Sequence, residues 1–323
     1  MSRIQTLLVR PQLANSPIVR LASQPDVESN DNNITSAGVT KVPLPMAGKI
    51  GESPQVFPRV AKARGLAGHV LLHVPNSMRY VRKVPYFGRL VRELCDRLFP
   101  RGQLVWTRIR TGPAREIWME LNPRTGQSYL HAQVEQTVQE FMVEQLRPGM
   151  IFYDLGANIG FFSLLAARLV GPQGKVFSFE PDTEAFTRLK RNIERNGFSQ
   201  ITPVNKGVWS TTGTAAFLVA DASSPDRGVG KLAPADTGGY PKVPCIALDD
   251  FIVGSPPPNV MKVDVEGAEL EVLRGAHVLW REYKPSIVCE LHSEENRCDV
   301  ESMLGHYGYS IRAIDSNHLA ALP

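Results

Sequence analysis

The sequence contains little cysteine and no long apolar run. Its four cysteines among 323 residues include no CxxC pair, which argues against a disulfide scaffold or a structural zinc site and favours a reducing compartment. No apolar run approaches the roughly 18 residues that a membrane-spanning helix requires. The apolar residues 4–9 are too few for the core of a signal peptide. We therefore expect a cytoplasmic protein with no integral membrane segment.

Charge is unevenly distributed along a chain of otherwise ordinary soluble composition. Hydrophobic residues make up 43% and charged residues 21%, which excludes a wholly disordered or collagen-like chain. The net charge is +4, but residues 60–115 contain 12 basic and only 2 acidic side chains. This basic block has two interpretations. Either it contacts an anionic surface such as nucleic acid, a membrane or an acidic glycan, or it forms the solvated face of a helix.

Three regions differ in their sequence pattern. Residues 1–58 are rich in Ser, Asn, Pro and Gly without a sustained period, which predicts a disordered N-terminal segment. Residues 59–149 predict a basic lead-in with helical parts and a hairpin, whose strands are residues 105–110 and 116–121. Residues 150–323 form the third region, in which strands and helices alternate.

That alternation predicts the fold class. Short apolar strands are followed by amphipathic helices, which indicates an α/β protein with a doubly wound, mostly parallel sheet covered on both faces. The predicted strands are residues 150–154, 175–179, 201–208, 215–219, 243–247, 260–265, 286–291 and 309–314. The predicted helices are residues 133–146, 161–170, 183–196, 269–283 and 299–307.

The most informative segment is DLGANIG at residues 154–160, between a predicted strand and a predicted helix. Gly156 and Gly160 allow a sharp turn and the close approach of a ligand, because no Cβ is present. In a doubly wound sheet such a turn lies at the carboxyl edge, where ligands bind. Glu180 ends the next strand 20 residues after Gly160, at the spacing where an acid usually binds ribose hydroxyls. We therefore expect a nucleoside at this edge.

The turn departs from the dinucleotide fingerprint. Asn158 replaces the middle glycine, so a pyrophosphate would lack its closest backbone approach. Asp154 directly before the turn suits a cationic ligand better than a diphosphate. The pattern D-x-G-x-x-x-G after a strand resembles S-adenosylmethionine-dependent methyltransferases of the doubly wound class, which implies that Asp154 lies near the amino-acid part of the cofactor.

Further segments narrow the resemblance. They are FEP at residues 179–181, LDDF at 248–251, MKVDVEGAE at 261–269 and ELH at 290–292. In this order and spacing they resemble the FkbM family of methyltransferases over residues 150–315. The resemblance implies a Rossmann-like methyltransferase fold and methyl transfer from S-adenosylmethionine, typically to a hydroxyl of a sugar or a polyketide.

Adenine recognition is the weakest match. Many S-adenosylmethionine enzymes present an acid to the adenine amino group after the third strand, whereas this chain has NKGVW at residues 205–209. Backbone groups or Asn205 would then contact adenine. The candidate cofactor-binding residues are Asp154, Gly156, Asn158, Gly160, Glu180, Asn205 and Asp264.

Four side chains are candidates for catalysis: Asp264, Glu266, Glu290 and His292. Strand alternation places Lys262, Asp264 and Glu266 on one face, and we expect them to converge with Glu290 and His292 at neighbouring strand ends. His292 or Asp264 can act as general base toward the acceptor hydroxyl. Alternatively, the carboxylates and imidazole hold a divalent metal that binds a diol. The base without metal is favoured, because no paired-histidine motif or cation-binding loop is present.

Lys262 and His292 also have structural interpretations. Lys262 is expected to form a buried ion pair with Asp264 rather than to act in catalysis. For His292, the sequence favours capping of a strand end and catalysis equally.

Two other functions remain possible from the sequence. A nucleic-acid methyltransferase is suggested by the basic block, but the D/N-P-P-Y turn of amino-directed enzymes is replaced by residues 264–267, DVEG. Cys245 follows a proline as in cytosine-C5 enzymes, yet it precedes the Asp264 strand and is expected to be a buried strand residue. A non-catalytic binding module is the other alternative. Our prediction is an O-methyltransferase acting on a carbohydrate or another small hydroxylated acceptor.

Overall fold

The structure is a computed structural model and describes residues 102–219 and 230–323. The segment predicted to be disordered, residues 1–58, and the basic residues 60–101 lie outside the described residues. The proposed division into three regions therefore stays a prediction.

A seven-stranded sheet forms the centre of the described structure. Its strands are β3 (Ile151–Leu155), β4 (Lys175–Phe179), β5 (Ile201–Val204), β10 (Val260–Val263), β11 (Ser286–Glu290), β12 (Ser310–Ala313) and β13 (His318–Leu322). They are ordered β12-β13-β11-β10-β3-β4-β5. The strands from β5 to β11 run parallel, whereas β13 is antiparallel to both of its neighbours. The predicted mostly parallel, doubly wound sheet is confirmed.

Helices cover both faces of this sheet. They are α1 (Gln127–Leu130), α2 (Gln136–Gln145), α3 (Phe161–Val170), α4 (Thr183–Asn196), α5 (Leu248–Phe251), α6 (Glu269–Arg274) and α7 (Glu294–His306). Phe152 packs with α2, α3 and α4, while the next residue, Tyr153, packs with α5, α6 and α7 on the other face. This is the alternation that a strand buried on both sides requires.

The strand order reverses between β3 and β10. From β3 the chain continues outward through β4 and β5, and it later returns to pair β10 with the other edge of β3. Such a reversal leaves a crevice at the carboxyl ends of the two strands. The turns that follow β3 and β10 therefore lie side by side.

A second, four-stranded sheet packs against one face of the main sheet. Its strands are β6 (Gly207–Val208), β7 (Gly213–Val219), β8 (Gly230–Ala233) and β9 (Lys242–Ile246), in the order β6-β9-β7-β8. The sequence predicted strands near β7 and β9 without assigning them to a separate sheet. Cys245 is buried in β9, as expected of a strand residue.

Residues 102–149 form a hairpin and two helices before the main sheet begins. The hairpin pairs β1 (Val105–Arg108) with β2 (Trp118–Leu121) in antiparallel register. Asn192 and Asn196 of α4 bind the backbone of β2 at Glu120 and Trp118. The hairpin is therefore fixed to the helix that follows β4.

Two predicted elements are divided in the structure, and not every strand was predicted. The strand predicted over residues 201–208 is β5 of the main sheet followed by β6 of the second sheet. The helix predicted over residues 269–283 ends at Arg274, and a separate π-helical turn follows at Leu279–Tyr283. The break lies at Gly275, where a Cβ would be 2.4 Å from the carbonyl oxygen of Trp209. Strand β13 was not predicted, because HLAAL is short and rich in alanine, a weak strand former. Each helix within residues 102–219 and 230–323 is too short or too polar to span a bilayer.

Candidate functional site

The turn between β3 and α3 packs directly against the end of β10. Gly156 and Gly160 have φ values of +81° and +90°, and Asn158 also adopts a positive φ of +48°. A Cβ on Gly156 would lie 1.7 Å from the carbonyl oxygen of Asp264, so only glycine fits. The N–H groups of Gly156 and Ala157 both donate to the carbonyl of Phe179. The turn is thus fixed between the ends of β4 and β10.

Glu180 lies beside this turn, directly after β4. Its side chain accepts hydrogen bonds from the backbone N–H of Asn158 at 2.7 Å and of Asp182 at 2.8 Å. Burial raises the pKa of Glu180 to about 8, although these two bonds favour the ionised form. The predicted acid therefore occupies a buried position next to the glycine turn.

A first cavity opens between the glycine turn and the second sheet. Glu180 and Asp264 line it on one side, and Phe217 and Leu232 form an apolar wall on the other. Residues 206–208 also line this first cavity. Asn205 has a different position, because its side-chain amide donates to the carbonyl of Glu180 at 2.8 Å.

A second cavity continues from the first on the side of α3. The two cavities share Gly156, Asn158, Asp264 and Glu266. The second cavity combines aromatic and charged side chains, which are Tyr129, Phe161, Phe162, Glu135, Arg188, Lys262 and Glu290. Tyr129 and Glu135 precede the first strand of the main sheet, so the lead-in contributes to this cavity.

Asp154 is buried beneath the glycine turn. Its Oδ2 accepts a hydrogen bond from Ser163 Oγ at 2.5 Å, while its buried Oδ1 has no hydrogen-bond partner. Burial raises the pKa of Asp154 to about 6, against the opposing influence of the nearby Lys262 ammonium. Asp154 therefore supports the turn from below rather than lining either of the two cavities.

Lys262 and Asp264 form the ion pair expected from the sequence. Lys262 Nζ lies 2.6 Å from Asp264 Oδ2 and 3.6 Å from Glu135 Oε2, and its side chain is only 3% exposed. Burial would raise the pKa of Asp264, but the charge and hydrogen bond of Lys262 outweigh it and hold the pKa below its usual range. Asp264 is therefore ionised at neutral pH.

Glu266 and His292 meet at the other side of Asp264. Strand β10 ends before Asp264, and Glu266 lies in the following turn with a positive φ of +54°. His292 Nε2 lies 3.1 Å from Glu266 Oε2, and Nδ1 lies 3.0 Å from Oε1 of the fully buried Glu269. Hydrogen bonds to Glu266 and Glu269 raise the pKa of His292 to about 10. The imidazole is thus a cation at neutral pH.

Glu290 connects this group to a further charged cluster. Burial, together with the charges of Asp264 and Glu135, raises the pKa of Glu290 to about 7. His318 on β13 lies 3.8 Å from Glu290 Oε2 and 3.5 Å from Glu135 Oε2. The predicted convergence of carboxylates and a histidine at neighbouring strand ends is present.

Two trios of described side chains have ligand atoms within 4.8 Å of one another, a spacing that a metal ion could bridge. They are Glu135 with Glu290 and His318, and Asp264 with Glu290 and His292. The Lys262 ammonium contacts a carboxylate of each trio, which places a positive charge where a metal would bind. This arrangement favours the interpretation without a metal.

The sequence analysis missed several residues of the site. Glu135 and Arg188 were not identified, because one precedes the main sheet and the other lies within an amphipathic helix. Glu269, which fixes His292, was seen only as part of a motif. An acid at the start of α6, followed by a histidine at the end of the next strand, was the available signal.

Comparison with known proteins decides the family. The sequence profile of the methyltransferase FkbM domain matches residues 154–311. The hexuronic acid methyltransferase AglP of Haloferax volcanii is 30% identical over 172 residues, covering 53% of this chain and 67% of that protein. This chain belongs to the FkbM methyltransferase family. As a member, it is an S-adenosylmethionine-dependent methyltransferase of FkbM type.

One further relative and one solved structure are also similar to this chain. The 31-O-demethyl-FK506 methyltransferase FkbM of Streptomyces tacrolimicus is 26% identical, covering 66% of this chain and 88% of that protein. The crystal structure of an FkbM methyltransferase from Methylobacillus flagellatus is 20% identical with a TM-score of 0.41. That match covers 58% of this chain and 55% of the crystal-structure chain.

Proposed function

We propose that this FkbM family member methylates a hydroxyl group of a carbohydrate or another small hydroxylated acceptor. The observation that carries the proposal is the cluster of Asp264, Glu290 and His292 beside the second cavity, next to the glycine turn. A sugar acceptor is supported by the relative AglP, a hexuronic acid methyltransferase.

The first cavity fits the adenosyl part of S-adenosylmethionine. The backbone at Gly156 and Asn158 would hold the cofactor, because a glycine turn without Cβ atoms permits close approach. Glu180 would accept hydrogen bonds from the ribose hydroxyls, and residues 206–208 would contact adenine. Phe217 and Leu232 supply an apolar wall for a planar base. When bound, the cofactor supplies an electrophilic methyl group on a sulfonium.

Glu290 is the residue of this cluster best suited to act as general base. A carboxyl group with a pKa near the working pH accepts a proton from a hydroxyl most effectively. Asp264 is a weaker base because it is paired with Lys262 and its pKa is lowered. In this mechanism a carboxylate oxygen of Glu290 would take the proton of the acceptor hydroxyl. The acceptor oxygen would bond to the methyl carbon as the bond between that carbon and sulfur breaks, and S-adenosylhomocysteine would leave.

His292 and the acids around it have a different proposed role. Because His292 is protonated, it cannot begin the reaction as a base, which changes the role predicted from the sequence. It holds Glu266, a residue that lines both cavities, in its left-handed turn. Positioning of the acceptor by such fixed side chains contributes to the rate without further chemistry.

The activity test uses radiolabelled S-adenosylmethionine and extracts of cells that lack this protein. Saccharide, lipid and RNA fractions are incubated separately with the purified full chain, and products are identified by mass spectrometry. We expect label in the saccharide or glycolipid fraction and a product heavier by one CH₂ unit. Label in RNA alone would contradict the proposal and favour the nucleic-acid alternative.

The role of Glu290 is tested with the acceptor so identified. Glu290→Gln should lower kcat by about 10²- to 10⁴-fold, the usual contribution of a general base, while binding of S-adenosylmethionine is retained. In the wild type, kcat/KM should rise with pH to a plateau above an apparent pKa near 7. Glu294→Gln, at an exposed position of α7, is the matched control and should retain full activity. An unchanged pH profile in Glu290→Gln would exclude Glu290 as the base.

A further inference from the structure

Strand β13 carries a buried histidine directly beside the proposed base. His318 is the cross-strand partner of Glu290 in the antiparallel pairing of β13 with β11. Directly opposed residues of such a pair have their side chains on the same face and within reach of one another. The His318 side chain is only 6% exposed and lines neither cavity, whereas Glu290 lines the second one. His318 therefore faces Glu290 from the protein interior rather than from the cavity.

Asp315, in the turn before β13, fixes the orientation of the His318 ring. Its carboxylate accepts hydrogen bonds from the N–H groups of Asn317 and His318, both at 2.8 Å, and from the hydroxyl of Thr137. Burial would raise the pKa of Asp315, but these hydrogen bonds outweigh it and lower the pKa. His318 Nδ1, 2.9 Å from Asp315 Oδ1, therefore donates to a carboxylate. The other ring nitrogen, Nε2, is left to face β11.

The Nε2 atom of His318 faces two carboxylates. It lies 3.8 Å from Glu290 Oε2 and 3.5 Å from Glu135 Oε2, and within the described residues this buried nitrogen makes no hydrogen bond. Burial would lower the pKa of His318, but hydrogen bonds and charges of Glu135 and Asp315 outweigh it and raise the pKa. The ring is therefore a cation beside Glu290 near neutral pH.

Other ionisable groups also face this pair, from β10, the turn after β10, the end of β11, the segment before α2 and the turn before β13. They are Lys262, Asp264, His292, Glu135 and Asp315. Lys262 pairs most closely with Asp264, at 2.6 Å, and both ring nitrogens of His292 face other acids. The cation that faces Glu290 from its neighbouring strand is therefore His318.

We propose that His318 is a positioning residue for Glu290: held by Asp315, its imidazolium orients the Glu290 carboxylate and favours its ionised form. This inference rests on the proposed function, in which Glu290 takes the proton of the acceptor hydroxyl. A carboxyl group must be ionised before it can accept a proton, and an opposite charge within about 4–6 Å favours ionisation. His318 opposes the effects of burial and of the acids Asp264 and Glu135, which favour the protonated form of Glu290.

NMR titration of the full chain tests this inference without any acceptor. Nitrogen-15 shifts report the protonation of His318, and carbon-13 carboxyl shifts report the pKa of Glu290. The signals are assigned by their loss in His318→Gln and Glu290→Gln. In the wild type, both ring nitrogens of His318 should carry protons at pH 7. A neutral His318 in the wild type would overturn the proposal, whether or not the variants fold.

Variants then measure the effect of His318 on Glu290. In His318→Gln the pKa of Glu290 should rise by about 1 pH unit or more, because a neighbouring positive charge is lost. Asp315→Asn should lower the pKa of His318 and so raise the pKa of Glu290 in the same direction. An unaltered pKa of Glu290 in folded His318→Gln would overturn the proposal.

Arg312→Gln is the matched control for loss of a positive charge. Arg312 lies on β12, next to β13, but its side chain is exposed and pairs with Glu144 at 3.5 Å. This variant should leave the pKa of Glu290 at its wild-type value. A rise as large as in His318→Gln would show a general effect of net charge and overturn the assignment to His318.

Kinetics with the acceptor found by fractionation separate positioning from a merely structural role. His318→Gln should move the pH profile of kcat/KM to higher pH and lower kcat/KM at pH 7 roughly 5-fold or more, with a much smaller loss at pH 9.5. An equal loss at every pH would indicate a structural role and overturn the proposal. If the NMR titrations show the expected changes but no fraction is methylated, the proposed function fails and the control of Glu290 by His318 stands.

Discussion

At the scale of single residues, Gly156 gives the sharpest test of the site. Any side chain at this position would adopt a left-handed backbone and would meet the carbonyl of Asp264. Gly156→Ala should lower the free energy of unfolding by more than the about 1–2 kcal/mol of left-handed strain alone, and should abolish cofactor binding. Urea denaturation and calorimetry measure the two effects.

Gly197→Ala is the control for this change. Gly197 also has a left-handed backbone with a φ of +66°, but a Cβ there would meet nothing within 4 Å. This variant should lose only the strain energy, about 1 kcal/mol, and should bind S-adenosylmethionine normally. Normal cofactor binding by Gly156→Ala would contradict the assignment of the turn as the cofactor cradle.

A second residue-scale prediction concerns Glu269. Its carboxylate is fully buried and bonds to His292, the side-chain amide of Asn296 and the N–H of Gly267. Glu269→Gln removes one of the two acids that raise the pKa of His292, so that pKa should fall below its value of about 10. NMR titration of the His292 ring measures the change directly. An unaltered pKa would show that Glu266 alone accounts for it.

At the scale of elements, the side chain of Asn192 connects three segments of the structure. It joins α4 to the N–H of Glu120 in β2 and to the carbonyl of Ile159 in the glycine turn. Asn192→Ala removes the partner of both backbone groups, one in a buried and one in a partly buried hydrogen bond, and each such loss costs up to about 1–3 kcal/mol. We expect destabilisation of about 2–4 kcal/mol by urea denaturation, together with weaker cofactor binding.

The isosteric variant separates the two contacts. Asn192→Asp retains an oxygen for the N–H of Glu120, but in its ionised form it loses the donor to Ile159 and also buries a charge, which lowers stability further. Its effect on cofactor affinity should therefore approach that of Asn192→Ala, whereas the hairpin should remain attached. If cofactor affinity is unaffected in both variants, the glycine turn does not depend on α4 for its conformation.

The elements that could be predicted from sequence are those with a strong local pattern. Helices α3 and α4 have the predicted bounds, because Gly160 and Asp182 precede them and Gly171 and Gly197 follow them. Strand β13 was missed because its burial comes from the antiparallel pairing with β11 and β12, which no local pattern records. Arg188 and Glu135 were missed for the same reason, since tertiary packing alone places them at the cavity.

At the scale of the whole molecule, buried carboxyl groups control how stability depends on pH. Burial raises the folded-state pKa of Asp154, Glu290 and Glu180 to about 6, 7 and 8. A raised pKa means that folding disfavours the ionised form. The contribution of these groups to the free energy of unfolding is therefore fully present below the pKa values that they have in the unfolded chain, near pH 4. This contribution is lost as the pH rises through their folded-state pKa values of about 6 to 8. His292, with its pKa raised to about 10, acts in the same direction.

The melting temperature of the free protein should consequently fall between pH 6 and pH 9, as scanning fluorimetry would show. Asp264 and Asp315 do not offset this fall. Their pKa values are lowered, so their contribution is present at neutral pH and is lost only on acidification below about pH 4. A melting temperature that rises from pH 6 to pH 9 would contradict the burial of these carboxyl groups.

Cofactor binding should reverse part of this loss. A bound sulfonium favours the ionised form of nearby carboxyl groups, so binding releases protons and becomes tighter as pH rises. The rise in melting temperature caused by S-adenosylmethionine should therefore be larger at pH 8.5 than at pH 6. S-adenosylhomocysteine, which lacks the sulfonium charge, should show a smaller difference between the two pH values. Glu290→Gln removes one titrating group and should reduce the difference for S-adenosylmethionine. A cofactor-induced shift that is independent of pH would show that the acids lining the second cavity do not face the sulfonium.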